Sequence, residues 1–215
     1  MTLLDKQDLI RILGCVSDLM IANRDLLCNM DAELGDGDLG LTMSKAFPAA
    51  EKEAIESEES DIGKIMVRCG MKMNSAAPST MGTLMASSFI YTGKALAEKT
   101  TLDAKDFARF YMLFADGAAS RGKAKRGERT VLDVLYPAAD AAEQEFTNGT
   151  DIVGIASAAL GGAEAGLEST KDMLPKYGKS APFTVSAIGK TDQGAFVGKL
   201  FIEGIYVALA RKMVA

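Results

Sequence analysis

The chain contains no histidine. Imidazole general-base, phosphohistidine and histidine-metal chemistry are therefore closed to it, and acid-base work falls to carboxylates, lysine, water or another polypeptide. Cysteine is scarce as well: Cys15, Cys28 and Cys69 are odd in number and show no C-x-x-C spacing. A disulfide framework or zinc site is not expected, and reduced structural thiols are. Basic charge is in deficit, with a net charge of -5 and a pI near 4.9. Nucleic acid is thus not an expected partner, because phosphate neutralisation needs a basic face. No stretch approaches the ~18 uninterrupted apolar residues of a membrane span, and Asp5, Lys6 and Asp8 precede any long apolar run, unlike a signal peptide. The expectation is a soluble, cytoplasmic chain with no membrane partner. Strand signals are nearly missing too, the one candidate being Phe183 to Ile188.

What is present is helical periodicity. With 215 residues and 48% hydrophobic content, residues 1–215 can bury a full core as one domain. Leu9, Ile10, Leu13, Val16, Leu19 and Met20 recur at helical spacing and predict a first helix from about Lys6 to Asn23. A short helical run follows over Asp25 to Met30, and another helix enters through Met43, Ala46 and Ala49. The acidic run Glu51 to Asp61 reads as a solvated face followed by a turn. Further helices are predicted over Ile62 to Met73, Leu84 to Ala97, from Leu102, over Val131 to Phe146, Asp151 to Ser169 and Gln193 to Met213. Phe107, Phe110, Tyr111 and Phe114 form a stripe suited to a core. About eight helices of ten to twenty residues joined by short loops imply an all-α antiparallel bundle or barrel. Its glycine-bearing loops can then gather at one end.

The stretch Asp31 to Thr42, Asp-Ala-Glu-Leu-Gly-Asp-Gly-Asp-Leu-Gly-Leu-Thr, carries the most chemistry. Asp31, Asp36 and Asp38 crowd three carboxylates together, and Gly35, Gly37 and Gly40 let the backbone curl. Crowded anions repel unless a cation sits among them. Oxygen-only ligands on a loop suit Mg²⁺, which binds one or two carboxylates, waters and substrate phosphates. The stretch reads as a Mg²⁺-phosphate site.

Rival labels fail on their own terms. Gly35, Gly37 and Gly40 spell G-x-G-x-x-G, but no β-branched strand precedes them, and Asp36 and Asp38 would repel a pyrophosphate without a metal. An EF-hand from Asp31 would need Gly and Glu where Asp36 and Thr42 stand. Gly178-Lys179-Ser180 and Gly189-Lys190-Thr191 lack the first glycine of a P-loop, with Met173 and Thr184 in its place. Three other loops remain open in meaning. Asn74 to Thr83 is either an anion-holding helix entrance or an ordinary cap. Arg121 to Thr130, the basic concentration of the chain, reads as a phosphate-facing loop, a solvated turn or, least well, a nucleic-acid patch. Lys171 to Lys190, with Pro175, Gly178, Pro182 and Gly189, reads as a lid-like loop over a ligand.

Taken together, Gly35-Asp-Gly-Asp38, Arg121-Gly-Lys-Ala124, Arg129-Thr-Val-Leu-Asp133 with Pro137-Ala138, and Gly178-Lys-Ser180 with Asp192-Gln-Gly-Ala195 resemble the nucleotide-binding L subunit of dihydroxyacetone kinase over nearly the whole length. The resemblance implies an eight-helix antiparallel barrel with ADP or ATP held at one end through two Mg²⁺ ions. It implies that Asp31, Asp36 and Asp38 are the metal ligands, and that Leu39, Gly40, Leu41, Thr42, Thr80, Met81, Gly122, Val131, Lys179, Asp192, Gln193 and Gly194 surround the nucleotide. It assigns no certain catalytic residue. It also implies phosphoryl transfer to dihydroxyacetone or a related ketose held covalently by a histidine on a separate K subunit. In phosphotransferase-system versions a phosphohistidine M subunit recharges the nucleotide, and a homodimer is a further expectation. Missing imidazole fits this division of labour, and the chain alone should be inactive. The family usually has His where this chain has Leu39, Gly-Gly-x-Ser-Gly where it has Pro78-Ser79-Thr80-Met81-Gly82, Arg where it has Lys179 and Pro where it has Gln193. The alternatives are a stand-alone Mg²⁺ phosphohydrolase and a non-catalytic nucleotide-sensing regulator.

Overall fold

The structure is a computed structural model that describes residues 3–212. Its α-helices in chain order are α1 (Lys6–Ala22), α2 (Arg24–Leu34), α3 (Leu39–Glu56), α4 (Ile62–Ala76), α5 (Thr80–Ala95), α6 (Ala104–Gly122), α7 (Leu132–Thr147), α8 (Ile152–Ser169), α9 (Thr184–Ala187) and α10 (Gln193–Lys212). Short 3-10 turns cover Thr170–Asp172 and Ala181–Phe183. Aspartates at several entrances explain where helices start. Asp5, Asp61, Asp103 and Asp151 each accept a backbone N–H of the first turn, filling donors that the helix cannot satisfy itself.

Leaving aside the short α2 and α9, the other eight helices form a closed ring. Each packs on the next in chain order from α3 to α8, α8 packs on α10, α10 on α1 and α1 on α3. Short connections make neighbours antiparallel. α3, α5, α7 and α10 therefore begin at the end of the ring where α1, α4, α6 and α8 finish. The interior is aromatic: Phe114 stacks on Phe201 at 4.4 Å between centroids, and Phe89 meets Phe114 edge-on at 5.2 Å. Phe47 and Phe110 complete the cluster, as the stripe on α6 predicted. α10 is long and apolar enough to cross a membrane, with a mean hydropathy of 1.3. Its packing against α1, α7 and α8 accounts for that composition, since a helix apolar on most sides suits a core.

Several sequence expectations shift. Phe183 to Ile188 is no strand: Thr184–Ala187 forms a single helical turn, and no strand occurs among the described residues. Asn74, Ser75 and Ala76 end α4 instead of opening a loop, and α5 starts at Thr80 because Ser79 caps it through the Gly82 N–H. The acidic run from Glu51 is not uniformly solvated. Glu53 is buried on α3 and pairs with Arg68 at 2.6 Å, and Asp61 caps α4 while accepting the Glu98 N–H. Met213, the expected end of the last helix, lies outside the described residues.

Candidate functional site

Asp31 belongs to the last turn of α2, and only residues 35–38 form the loop between α2 and α3. The carboxylate of Asp31 shapes that loop, its Oδ2 accepting the N–H groups of Gly37 at 2.9 Å and Asp38 at 3.1 Å. Two glycines permit the fold-back. Gly37 has φ +77, and a Cβ on Gly35 would stand 2.4 Å from Asp31 Oδ1. One ligand oxygen each from Asp31, Asp36 and Asp38 then lies within 4.8 Å of the others.

These carboxylates head a cavity of about 440 Å³, a volume within the usual range for small-molecule sites. Four helix entrances meet it, those of α3, α5, α7 and α10. Helix N-termini present unsatisfied N–H groups and the positive end of the peptide dipoles, a surrounding that favours anions. The opposite wall is apolar, built from Leu84, Ala118, Ala124 and Leu132. The arrangement pairs an anionic, metal-seeking corner with anion-seeking helix ends, which suits a metal-bridged polyphosphate carrying an apolar body.

Asp31, Asp36, Asp38, Leu39, Thr80, Met81, Gly122, Val131, Lys179, Asp192, Gln193 and Gly194 all line this cavity. Gly40, Leu41 and Thr42 do not. Gly40 is pressed against α2, where a Cβ would stand 1.9 Å from the Arg24 carbonyl oxygen. Leu41 faces solvent and Thr42 is buried behind the loop. Sequence reasoning missed Leu84, Ala118 and Leu132 as wall residues, while Ser79, Arg129, Thr130 and Tyr177 fall in loops it read as ligand-facing without singling them out. Helical spacing could have found two of them, since Ala118 precedes Gly122, and Leu84 follows Thr80, by one turn.

Of the basic side chains before α7 only Arg129 turns inward, while Arg121, Lys123, Lys125 and Arg126 stay exposed. Asp133 accepts the N–H groups of Gly127 and Thr130, so the loop closes on the start of α7. Arg126 makes a two-pronged pair with Asp140 and lies 4.3 Å over the Tyr136 ring. Arg129 is wholly buried and donates to the carbonyls of Thr170, Ala187 and Lys190. The phosphate-facing reading is thereby corrected for Arg126, whereas Arg129 lines the cavity with its Nη1 free of any protein hydrogen bond.

Tyr177 to Ser180, within the segment from Lys171 to Lys190, complete the lining. Lys179 pairs with Asp36, and Lys190 pairs with Glu33 at 2.7 Å. Lys179 is the one cation paired with the aspartate cluster among the described residues. Asp192 caps α10 by accepting the Ala195 N–H at 2.8 Å. Burial pushes its carboxyl up to about 6, against the opposing pull of that N–H and of Arg129. Gln193 donates to Asp31 Oδ1 at 3.3 Å, while its own buried Oε1 has no protein partner.

This donor set fits a hard divalent ion. Three carboxylates share one lysine, all ligand atoms are oxygen, and a buried amide oxygen beside them lacks a donor.

Comparison with known proteins follows the same line. The model of the DAK2 domain matches residues 33–207. The chain is 29% identical over 94% of its length to the ADP-binding subunit DhaL of a PEP-dependent dihydroxyacetone kinase from Listeria innocua, covering 96% of that protein. It is 28% identical to the corresponding Escherichia coli subunit, over 89% of this chain and 91% of that one. An L-erythrulose kinase of Pectobacterium atrosepticum is 26% identical over 92% of this chain, which spans 34% of that longer protein. Among solved structures, the dihydroxyacetone kinase of C. freundii superposes with a TM-score of 0.71 at 20% identity, over 93% of this chain and 34% of that one. A complex of that kinase with AMP-PNP and Mg²⁺ gives a TM-score of 0.70 at 21% identity, over 93% of this chain and 33% of that one. At these identities the two structures bear on the fold alone.

Proposed function

As this chain belongs to the DAK2-domain family, we propose that it is the nucleotide-binding subunit of a dihydroxyacetone-type kinase, with residues 1–215 acting as one domain. The observation that carries this reading is the convergence of Asp31, Asp36 and Asp38 within 4.8 Å at the head of a cavity rimmed by helix N-termini. Relatives named as ADP-binding subunits and as kinases of small ketoses support it.

Asp31, Asp36 and Asp38 would hold two Mg²⁺ ions, which supply charge neutralisation for the phosphates of ADP or ATP. The chain's own residues do the rest. Asp31 keeps the α2–α3 loop in its ligand-presenting turn through Gly37 and Asp38. The entrances of α5 and α7 offer N–H groups to the phosphates, and Leu84, Ala118 and Leu132 receive the apolar part of the nucleotide. Lys179, paired with Asp36, would offer its ammonium to a phosphate oxygen at the same corner of the cavity.

Without imidazole, the chain has no means of holding a ketose as a histidine adduct or of carrying phosphohistidine. The acceptor hydroxyl is therefore presented by a K-type subunit with a covalent-binding histidine. A phosphohistidine M-type subunit is the donor in a phosphotransferase version, and ATP in the other. Such a system works in the cytoplasm, and a homodimer of this chain is compatible with it.

Calorimetric titration tests the assignment. Magnesium-dependent ADP binding by the intact chain should be lost, by at least about a hundredfold, in Asp36→Asn, since removing one charge from a paired cluster costs several kcal/mol. Equal affinity in the two proteins, or wild-type binding that persists in excess chelator, would reject the metal site.

A further inference from the structure

The segment 171–190 is a loop with a closed neck. Its two ends meet where the Gly189 N–H donates to the Lys171 carbonyl at 2.8 Å and the Asp192 N–H donates to Thr170 Oγ1 at 3.1 Å. Arg129 stands in that neck. It reaches Thr170 on the entering strand of chain through Nε at 3.2 Å. On the leaving side it reaches Ala187 at 3.3 Å and Lys190 at 2.9 Å through Nη2. Its Nη1 lies 3.5 Å from Asp192 Oδ1.

Two features mark this as a built arrangement. Arg129 is a large side chain only 1% exposed, a burial rare for a charged residue, and its Nε and Nη2 are spent on carbonyls of the neck while Nη1 has only the ion pair with Asp192. Its backbone also adopts φ +57, a left-handed conformation that is unfavourable for a non-glycine residue and persists only where the surroundings impose it. The basic loop holds it there through Asp133, which binds Gly127 and Thr130 on either side.

We propose that Arg129 is a positioning residue that clamps the neck of segment 171–190 and so sets Lys179 and Gln193 against the three aspartates. A planar fork reaches the two sides of the neck from separate nitrogens held in fixed geometry, which the single nitrogen of a lysine does not reproduce. Lys179, near the tip, and Gln193, at the start of α10, leave the neck in opposite directions along the chain. One guanidinium therefore governs both groups that touch the aspartate cluster from outside the α2–α3 loop. Phe183, Val185 and Ile188 of the segment are exposed and bury little to hold it down, its further ties outside the neck being polar, such as Lys176 to Glu128.

The test compares the full chain with Arg129→Lys by amide hydrogen exchange and by titration with ADP and Mg²⁺. Arg129→Lys should raise exchange across 171–190 at least tenfold while α3 to α6 keep their protection, and ADP affinity should fall about tenfold. Unchanged exchange in the segment overturns the clamp. Should Arg129→Lys loosen the whole ring, Gly189→Pro opens the neck from the surface with Arg129 intact, because φ +79 is closed to proline. Faster segment exchange with weaker ADP binding in that variant supports the clamp, and wild-type affinity with an open neck overturns it. The affinity arm rests on the proposed nucleotide site and the exchange arm does not. Failure of wild-type protein to bind ADP would thus strike the function, and failure of exchange to respond would strike the clamp.

Discussion

Asp192 shows how one side chain can serve two demands that conflict. As the cap of α10 it is drawn toward its charged form by the Ala195 N–H and Arg129, yet its burial favours the neutral form and lifts it to about 6. The unfolded chain should release that proton near the ordinary carboxyl value of about 3.9. Since the folded value is the higher one, its contribution to stability is fully present below about pH 4 and is lost as pH rises through about 6. Denaturant midpoints of Asp192→Asn, which still caps but cannot titrate, should therefore fall less between pH 4.5 and 7 than those of the wild type. Parallel curves for the two proteins would refute the raised value. The sequence made Asp192 a site residue only through resemblance, because its burial depends on Arg129 and Thr170, far away in the chain.

Among the elements, α2 matters beyond its length. Like α9 it stands outside the ring, and it delivers Asp31 to a loop that otherwise supplies Asp36 and Asp38. The α2–α3 approach depends on Gly40, where a methyl would overlap the Arg24 carbonyl at 1.9 Å and press on Cys28. Gly40→Ala should lower stability by roughly 1–3 kcal/mol, the usual cost of overpacking, and should also weaken magnesium-dependent ADP binding by parting Asp31 from Asp36. A urea midpoint like that of wild type would show that α2 yields without cost. The helix periods of α1, α6 and α8 were plain in the sequence because each buries one face. The entrance of α5 was misjudged because small residues at Asn74 to Ala76 read as loop, whereas buried Met73 and Ala77 on either side anchor the last turn of α4 through these exposed positions.

At the scale of the molecule, closure of the ring ties every long helix to two others. Phe201 sits where the aromatic side chains of α3, α5 and α6 converge, stacked on Phe114 and touching Phe47, Phe89 and Phe110. Phe201→Ala should cost roughly 3–5 kcal/mol. Because the interior is shared, unfolding should remain a single transition at a lower midpoint, with far-ultraviolet and near-ultraviolet signals moving together. Separate transitions for the two halves of the chain would show that the ring is not one cooperative unit.

The sequence by itself determined that the chain is helical, that its core is aromatic along α6, and that Asp31, Asp36 and Asp38 form an acidic cluster, because these depend on residues close enough in the chain for local geometry to join them. Tertiary packing alone brings the entrances of four helices to one cavity, leaves Gly40 to Thr42 out of its lining, and turns Arg129 inward to hold a distant loop. Those facts depend on which helices become neighbours when the ring closes, a choice made by packing across the whole core.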